Sequence, residues 1–208
     1  MREGSGELWQ RLHQRVDGLP PELADHCRGT AEECRILARR FGLGEEVAAV
    51  AGLAHDLARA MGPQELVARA RSYGLSVGVI EDTVPLLLHG PVAAELLRRE
   101  EPATDGECLE AIAWHTTGRA GMPPLAQVLF LGDKLEARRG NLQPGMAKIK
   151  LLAQEDLGRA LLELYDLLIQ SFVQRGALLH PATVEARNHL LLALRPSPPE
   201  AARSAPGG

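Results

Sequence analysis

Ala51-Gly52-Leu53-Ala54-His55-Asp56-Leu57-Ala58 is the stretch on which the reading of this chain turns. From Val47 to Leu57 the residues are mostly small or aliphatic, as in a helix enclosed by others, and such a core has no use for an imidazole beside a carboxylate. An unpaired buried carboxylate costs several kcal/mol, so Asp56 needs a cation or a hydrogen-bonded partner. Taken alone, the pair is equally well a core histidine next to a capping or salt-bridged aspartate. What the rest of the chain brings to this helix has to decide.

The chain has 208 residues and a net charge of -4, enough for one domain with a sizeable core. Aromatic residues are only 3%, so the core is built from Leu, Ala, Val and Ile, and platforms for stacking single-stranded nucleic acid are scarce. Arginines are scattered through an acidic chain rather than striped, which argues against nucleic-acid binding. No uncharged run approaches the roughly 20 residues of a membrane span, and the first residues lack the apolar segment of a signal peptide. No membrane association and a cytoplasmic location are therefore expected. Cys27, Cys34 and Cys108 are odd in number and widely spaced, which suits reduced thiols rather than a disulfide framework or a thiolate metal knuckle. The histidines are more informative.

Outward from the opening stretch, the pattern is helical throughout. A short amphipathic segment, Leu8 to Val16, lies in an N-terminal extension of residues 1–20. Pro20 and Pro21 then stand at the entry of a helix, where a missing N–H costs nothing. Leu23, Cys27, Thr30, Ala31, Cys34, Leu37, Ala38 and Phe41 recur at spacings of three and four, marking one buried face. Gly42 and Gly44 separate this helix from the one carrying His55 and Asp56. Further helices are expected from Pro63 to Tyr73, around Val79 to Val84, from His89 to Arg99, and from Glu107 to Trp114. Others run from Leu125 to Arg138, Pro144 to Ala153, Leu157 to Gln174, and residues 182 to 193. β-Alternation and repeats are missing from the pattern, so the expected fold is all-α, a single helical bundle over residues 21–194, followed by a disordered tail at 195–208.

Six side chains that can ligate a metal fall where this pattern wants apolar or small residues: His26, His55, Asp56, His89, His115 and Asp133. Apart from the adjacent pair, each belongs to a different helix or helix end, and bundle sites are built by convergence of just that kind. Imidazole with carboxylate suits iron, manganese, zinc or cobalt, whereas magnesium and calcium want mostly oxygen. Four imidazoles and two carboxylates exceed the needs of one tetrahedral ion. They suffice for two if Asp56 bridges.

The order and company of these residues carry a resemblance. His26-Cys27-Arg28-Gly29-Thr30, Ala51 to Arg59, Leu88-His89-Gly90-Pro91, Trp114-His115-Thr116-Thr117-Gly118-Arg119, and Gly132-Asp133-Lys134-Leu135-Glu136 follow one another as in the HD-domain superfamily of metal-dependent phosphohydrolases. The flanking residues are similar to the YqeK-type branch, bacterial symmetrical dinucleoside tetraphosphatases, over roughly residues 22 to 175. Leu23 and Asp25 precede His26 where the family commonly has a basic and a variable residue. Arg59 stands for the usual Lys, and Gly132 and Ala137 for the usual Ala and Pro.

The resemblance implies a single HD-domain bundle that hydrolyses diadenosine tetraphosphate to two ADP with a metal-activated water. It further implies two divalent ions, iron first, with manganese, cobalt or zinc able to substitute. His26, His55, Asp56 and Asp133 would hold one ion, and Asp56, His89 and His115 the other. A polyphosphate needs local cations in an acidic protein, and the candidates for substrate contact are Arg59, Arg119 and Arg138, with Glu136 facing a nucleotide sugar or accepting a salt bridge from Arg139. Arg119 and Lys134 join Asp56 as candidate catalytic residues, Arg119 as the first choice for a phosphate. Arg59 and Lys134 serve equally well to neutralise carboxylates behind the ligands. His13, His180 and His189 lack such company and read as surface or packing residues, while Trp114 is core or a wall of the nucleotide pocket. The alternatives are another HD-type nucleotide phosphohydrolase, or a helical module that binds a nucleotide without turning it over. A monomer or a homodimer fits the sequence equally.

Overall fold

The computed structural model describes residues 3–136 and 145–195, and no strand occurs among them. Eleven α-helices follow in order among the described residues, the first three being α1 (Glu3–Asp17), α2 (Pro21–Arg40) and α3 (Glu45–Ala54). After them come α4 (Pro63–Ser72), α5 (Val79–Thr83), a 3-10 turn at Pro85–Leu88, α6 (His89–Glu100), α7 (Gly106–Trp114) and α8 (Pro124–Leu135). The last are α9 (Met146–Leu152), α10 (Leu157–Gln174) and α11 (Pro181–Ala193). None is long and apolar enough to cross a membrane.

Helix α2 begins with a proline at its first position and buries Ala24, Cys27, Thr30, Ala31, Cys34, Leu37 and Ala38, the face marked by the three-and-four spacing. Against that face lies α3, whose residues from Ala48 on are nearly all buried. The two backbones meet at Gly52: a Cβ there would lie 2.7 Å from the Ala31 Cα and 2.8 Å from its nitrogen. Only glycine permits this approach, and it brings His55 within reach of His26. Helix α3 also touches α1, α7 and α8, so it is the central element of the bundle.

The N-terminal segment belongs to the same core. Leu8, Leu12 and Val16 of α1 are buried, and complete enclosure of a side chain such as Leu12 contributes about 1.5–3 kcal/mol. Arg11 reaches across to the enclosed carboxylate of Glu101 at 2.9 Å, tying α1 to the end of α6.

Two helix ends differ from the periodic reading. Helix α3 stops at Ala54, and residues 55–61 continue in tight turns closed by Leu57 N–H to Ala54 O, Arg59 N–H to Asp56 O and Met61 N–H to Ala58 O. Helix α8 stops at Leu135 rather than Arg138, with Glu136 already extended at ψ 123°. Arg138, Arg139, Gly140, Pro144 and the tail beyond Arg195 lie outside the described residues.

Candidate metal centre

Three of the six candidate ligands sit at helix ends, and their placement follows from what helix ends leave unsatisfied. The last carbonyls of a helix have no N–H partner within it. His55, just past α3, donates its Nδ1–H to Gly52 O at 2.7 Å, and His115, just past α7, donates its Nδ1–H to Ile112 O at 2.8 Å. His89 opens α6 and donates its Nδ1–H to Leu86 O in the preceding 3-10 turn. In each case the imidazole satisfies a carbonyl three residues earlier. The bond also fixes the tautomer, so the lone pair is on Nε2.

Those three Nε2 atoms converge on Asp56. Asp56 Oδ1 lies 2.9 Å from His89 Nε2 and 3.5 Å from His115 Nε2. Asp56 Oδ2 lies 3.4 Å from His55 Nε2 and 3.7 Å from His26 Nε2. Asp133 Oδ1 completes the second side, at 3.0 Å from His26 Nε2 and 3.6 Å from His55 Nε2. The structure thus brings all six predicted candidates together, from α2, α3, α6, α7 and α8.

The donor set fits metal ions for a reason visible in the protons. His89 and His115 hold their Nε2 atoms 2.9 Å apart, and each has its proton on Nδ1, so two lone pairs face one another. His89 Nε2 also approaches Asp56 Oδ1 at 2.9 Å, and both Asp56 oxygens and His55 Nε2 are buried without a hydrogen bond of good geometry among the described residues. Lone pairs converging in this way need a cation between them. Asp56, His55, His89 and His115 are at most 1% exposed, so these groups are withdrawn from bulk solvent.

The electrostatics agree. Burial alone would push the His55 imidazole down, but Asp56 and Asp133 outweigh it and hold its pKa up at about 10. Positive charge is in demand at that nitrogen, and a proton or a metal ion can supply it. Burial pushes His115 down to about 4, with Asp56 only partly opposing, which keeps the ring neutral as a ligand would need to be. Burial would raise the Asp56 and Asp133 carboxyls; His55, His115 and His89 around Asp56, and Lys134 and His26 beside Asp133, instead hold both well below the usual range.

Around this cluster the remaining predicted residues take definite places. Glu136 is buried, and its Oε2 accepts the Nδ1–H of His26 at 3.2 Å, so it orients a candidate ligand. Lys134 donates to Asp133 Oδ2 and to His115 O at 3.0 Å, joining the two helix ends that carry those residues. The Arg59 Nε lies 3.5 Å from Asp56 Oδ2 with its side chain 36% exposed, at the boundary between the centre and solvent. Arg119 points elsewhere: its guanidinium is bound by Glu110 and by Ala120 O. Trp114 is half-buried, and Cys27 is a core thiol pushed up to about 12 by burial, with Asp56 and Asp133 adding to it. His180 caps α11, accepting from Ala182 N–H, and donates to Glu81.

One residue at the centre had no role assigned from sequence. Thr116 Oγ1 lies 3.3 Å from His115 Nε2 and 3.5 Å from His89 Nε2, a hydroxyl at the edge of the cluster. The signal was its place immediately after a histidine at a helix end.

Comparison with known proteins follows the same line. A family model described as HD domain matches residues 23–138. A symmetrical bis(5'-nucleosyl)-tetraphosphatase from Bacillus subtilis is 34% identical over 138 residues, covering 66% of this chain and 73% of the relative. The enzyme of that name from Halalkalibacterium halodurans is 32% identical over 167 residues, covering 80% of this chain and 88% of the relative. A crystal structure from Clostridium acetobutylicum, described as a "predicted HD superfamily hydrolase involved in NAD metabolism", superposes with a TM-score of 0.84 at 28% identity, covering 89% of this chain and 97% of its own.

Proposed function

The chain belongs to the HD domain family, and on that premise we propose that it is a metal-dependent symmetrical dinucleoside tetraphosphatase, cutting diadenosine tetraphosphate with water into two ADP. The substrate follows from the relatives, which are named for that reaction. The chemistry follows from one observation: the two oxygens of a single enclosed carboxylate, Asp56, face two different pairs of histidines. His26, His55, Asp56 and Asp133 would hold one divalent ion and Asp56, His89 and His115 the other, with Asp56 as the bridge. Iron is the first choice for such mixed ligation, and manganese, cobalt or zinc would substitute.

Bound divalent cations supply an acidified water as nucleophile and draw charge from the phosphates. The protein does the rest. The Nδ1 bonds of His55, His89 and His115 keep the Nε2 lone pairs aimed inward, so little reorganisation is needed when the site is loaded. Glu136 does the same for His26. Lys134 offsets the charge of Asp133 and holds it against the end of α7, a positioning part in catalysis. Arg59, at the solvent boundary 3.5 Å from Asp56 Oδ2, would meet a phosphate oxygen as the chain of phosphates enters. The Thr116 hydroxyl can accept or donate one hydrogen bond beside His89 and His115, where a nucleophilic water has to be oriented. No described serine or cysteine stands among these residues as a rival nucleophile.

The protein acts in the cytoplasm on this reading, as a monomer or homodimer. Chromatography of products from diadenosine tetraphosphate tests it. ADP alone supports symmetrical cleavage; AMP with ATP, or no turnover by protein purified anaerobically and supplied with iron, manganese or cobalt, overturns it.

A further inference from the structure

Between the loop that follows His115 and the last two helices lies a small cleft of about 130 Å³, the scale of a single ring system rather than of a whole nucleotide. No candidate metal ligand lines it, so it is separate from the centre just described. Its walls include Met122 from the loop, Leu161 from α10 and Leu190 from α11, and its polar groups are Arg119, Gln127 and His189. We propose that this cleft is a nucleobase pocket, taking the base of a nucleotide whose phosphates lie at the metal centre; the proposal builds on the tetraphosphatase reading.

Position argues for it. Arg119 follows His115 by four residues, so their Cα atoms are at most about 14 Å apart. The turn closed by Gly118 N–H to Trp114 O at 2.8 Å makes the true path shorter. Cleavage at the middle of a symmetrical phosphate chain leaves two phosphates and a ribose between the reacting atom and the base, a span of that order.

Chemistry argues for it as well. Arg119 was expected on a phosphate, but Glu110 already neutralises its guanidinium, and Ala120 O holds it still. A fixed, charge-compensated guanidinium is poorly suited to an anion and well suited to stack flat against a neutral base. No Phe, Tyr or Trp is among the described residues that line the cleft, so the flat groups available for stacking there are the Arg119 guanidinium and the His189 ring. Gln127 donates one amide N–H to Met122 O at 2.9 Å, which fixes the side chain and leaves its amide oxygen as an acceptor and its second N–H as a donor for a base edge. His189, at the mouth, can pair with a ring nitrogen or a ribose hydroxyl.

Ala193 lines the same cleft and is exposed, so Ala193→Trp fills the mouth without entering the core. Calorimetric titration of the metal-containing protein with ADP and with pyrophosphate separates nucleoside from phosphate recognition. The wild type is expected to bind ADP roughly tenfold more tightly than pyrophosphate. Ala193→Trp and His189→Ala are expected to lose most of that preference, to keep pyrophosphate binding and metal content, and to raise KM for diadenosine tetraphosphate with little change in kcat. Equal binding of ADP and pyrophosphate by the wild type, or an unchanged ADP preference in a folded Ala193→Trp variant, would overturn the pocket. Failure of the tetraphosphatase reading shows separately, as the wrong products or none from the wild type.

Discussion

Gly29→Ala tests the support of His26 from an unexpected side. Gly29 lies on α2 one turn beyond His26, and a Cβ placed there would stand 2.6 Å from Glu136 Oε1 and 2.8 Å from its Cδ and Cγ. Ordinary contact begins near 3.4 Å, so the Glu136 side chain must retreat by about 0.8 Å at its nearest atom. The bond it accepts from His26 Nδ1 is 3.2 Å long, and a retreat of that size takes it out of range. Loss of such support behind a metal-binding histidine lowers affinity about 10- to 100-fold, or roughly 1.4–2.7 kcal/mol. Folding should change little, because alanine in a helix gains about 0.5–1 kcal/mol over glycine and offsets part of the crowding. The assay is competition for manganese or zinc against a chelator, run beside thermal unfolding of the metal-free protein. Glu136→Ala should match Gly29→Ala, and Glu136→Gln, which keeps an acceptor oxygen, should lose less. Wild-type metal affinity in Gly29→Ala would refute the reasoning.

Other consequences are smaller. Arg11→Met leaves the Glu101 carboxylate, with its side chain 8% exposed, facing an apolar neighbour; chemical denaturation should show a loss of about 1–3 kcal/mol, with metal content unchanged. His180 accepts from Ala182 N–H through Nδ1, so its Nε2 carries a proton and donates to Glu81 at 2.8 Å. Burial would raise the Glu81 carboxyl, but this bond and its own turn hold it below the ordinary value. A depressed carboxyl adds stability above its unfolded pKa of about 4.3 and loses it as pH falls through the folded value. The stability gap between wild type and His180→Ala should therefore narrow as pH falls below about 4, while turnover at neutral pH is unaffected. A gap independent of pH would count against the bond.

Much of the bundle could be read from spacing, because α2, α7 and α10 each bury one face against a neighbour. The periodic signal was weakest where tertiary contacts choose the helix end. Leu57 and Ala58 look helical, yet α3 closes at Ala54 because His55 takes the carbonyl of Gly52 and the chain tightens into turns. The same holds at Glu136, whose carboxylate is committed to His26 across the core. The six candidate ligands stood out in sequence because polar groups interrupt apolar runs. Their supports did not: backbone carbonyls are the same at every position, and a glutamate beside Asp133 looks like any helix-end acid. The expectation of a phosphate at Arg119 rests on its charge, and charge in a sequence does not reveal that Glu110, nine residues earlier on α7, binds its guanidinium.

The central claim is that one carboxylate joins two metal sites. Metal content per folded chain, measured on anaerobically purified wild type and on Asp56→Ala, tests it most directly. Two ions per wild-type chain, and loss of both in Asp56→Ala with helix content preserved, are expected. A folded Asp56→Ala variant that keeps both ions would contradict it.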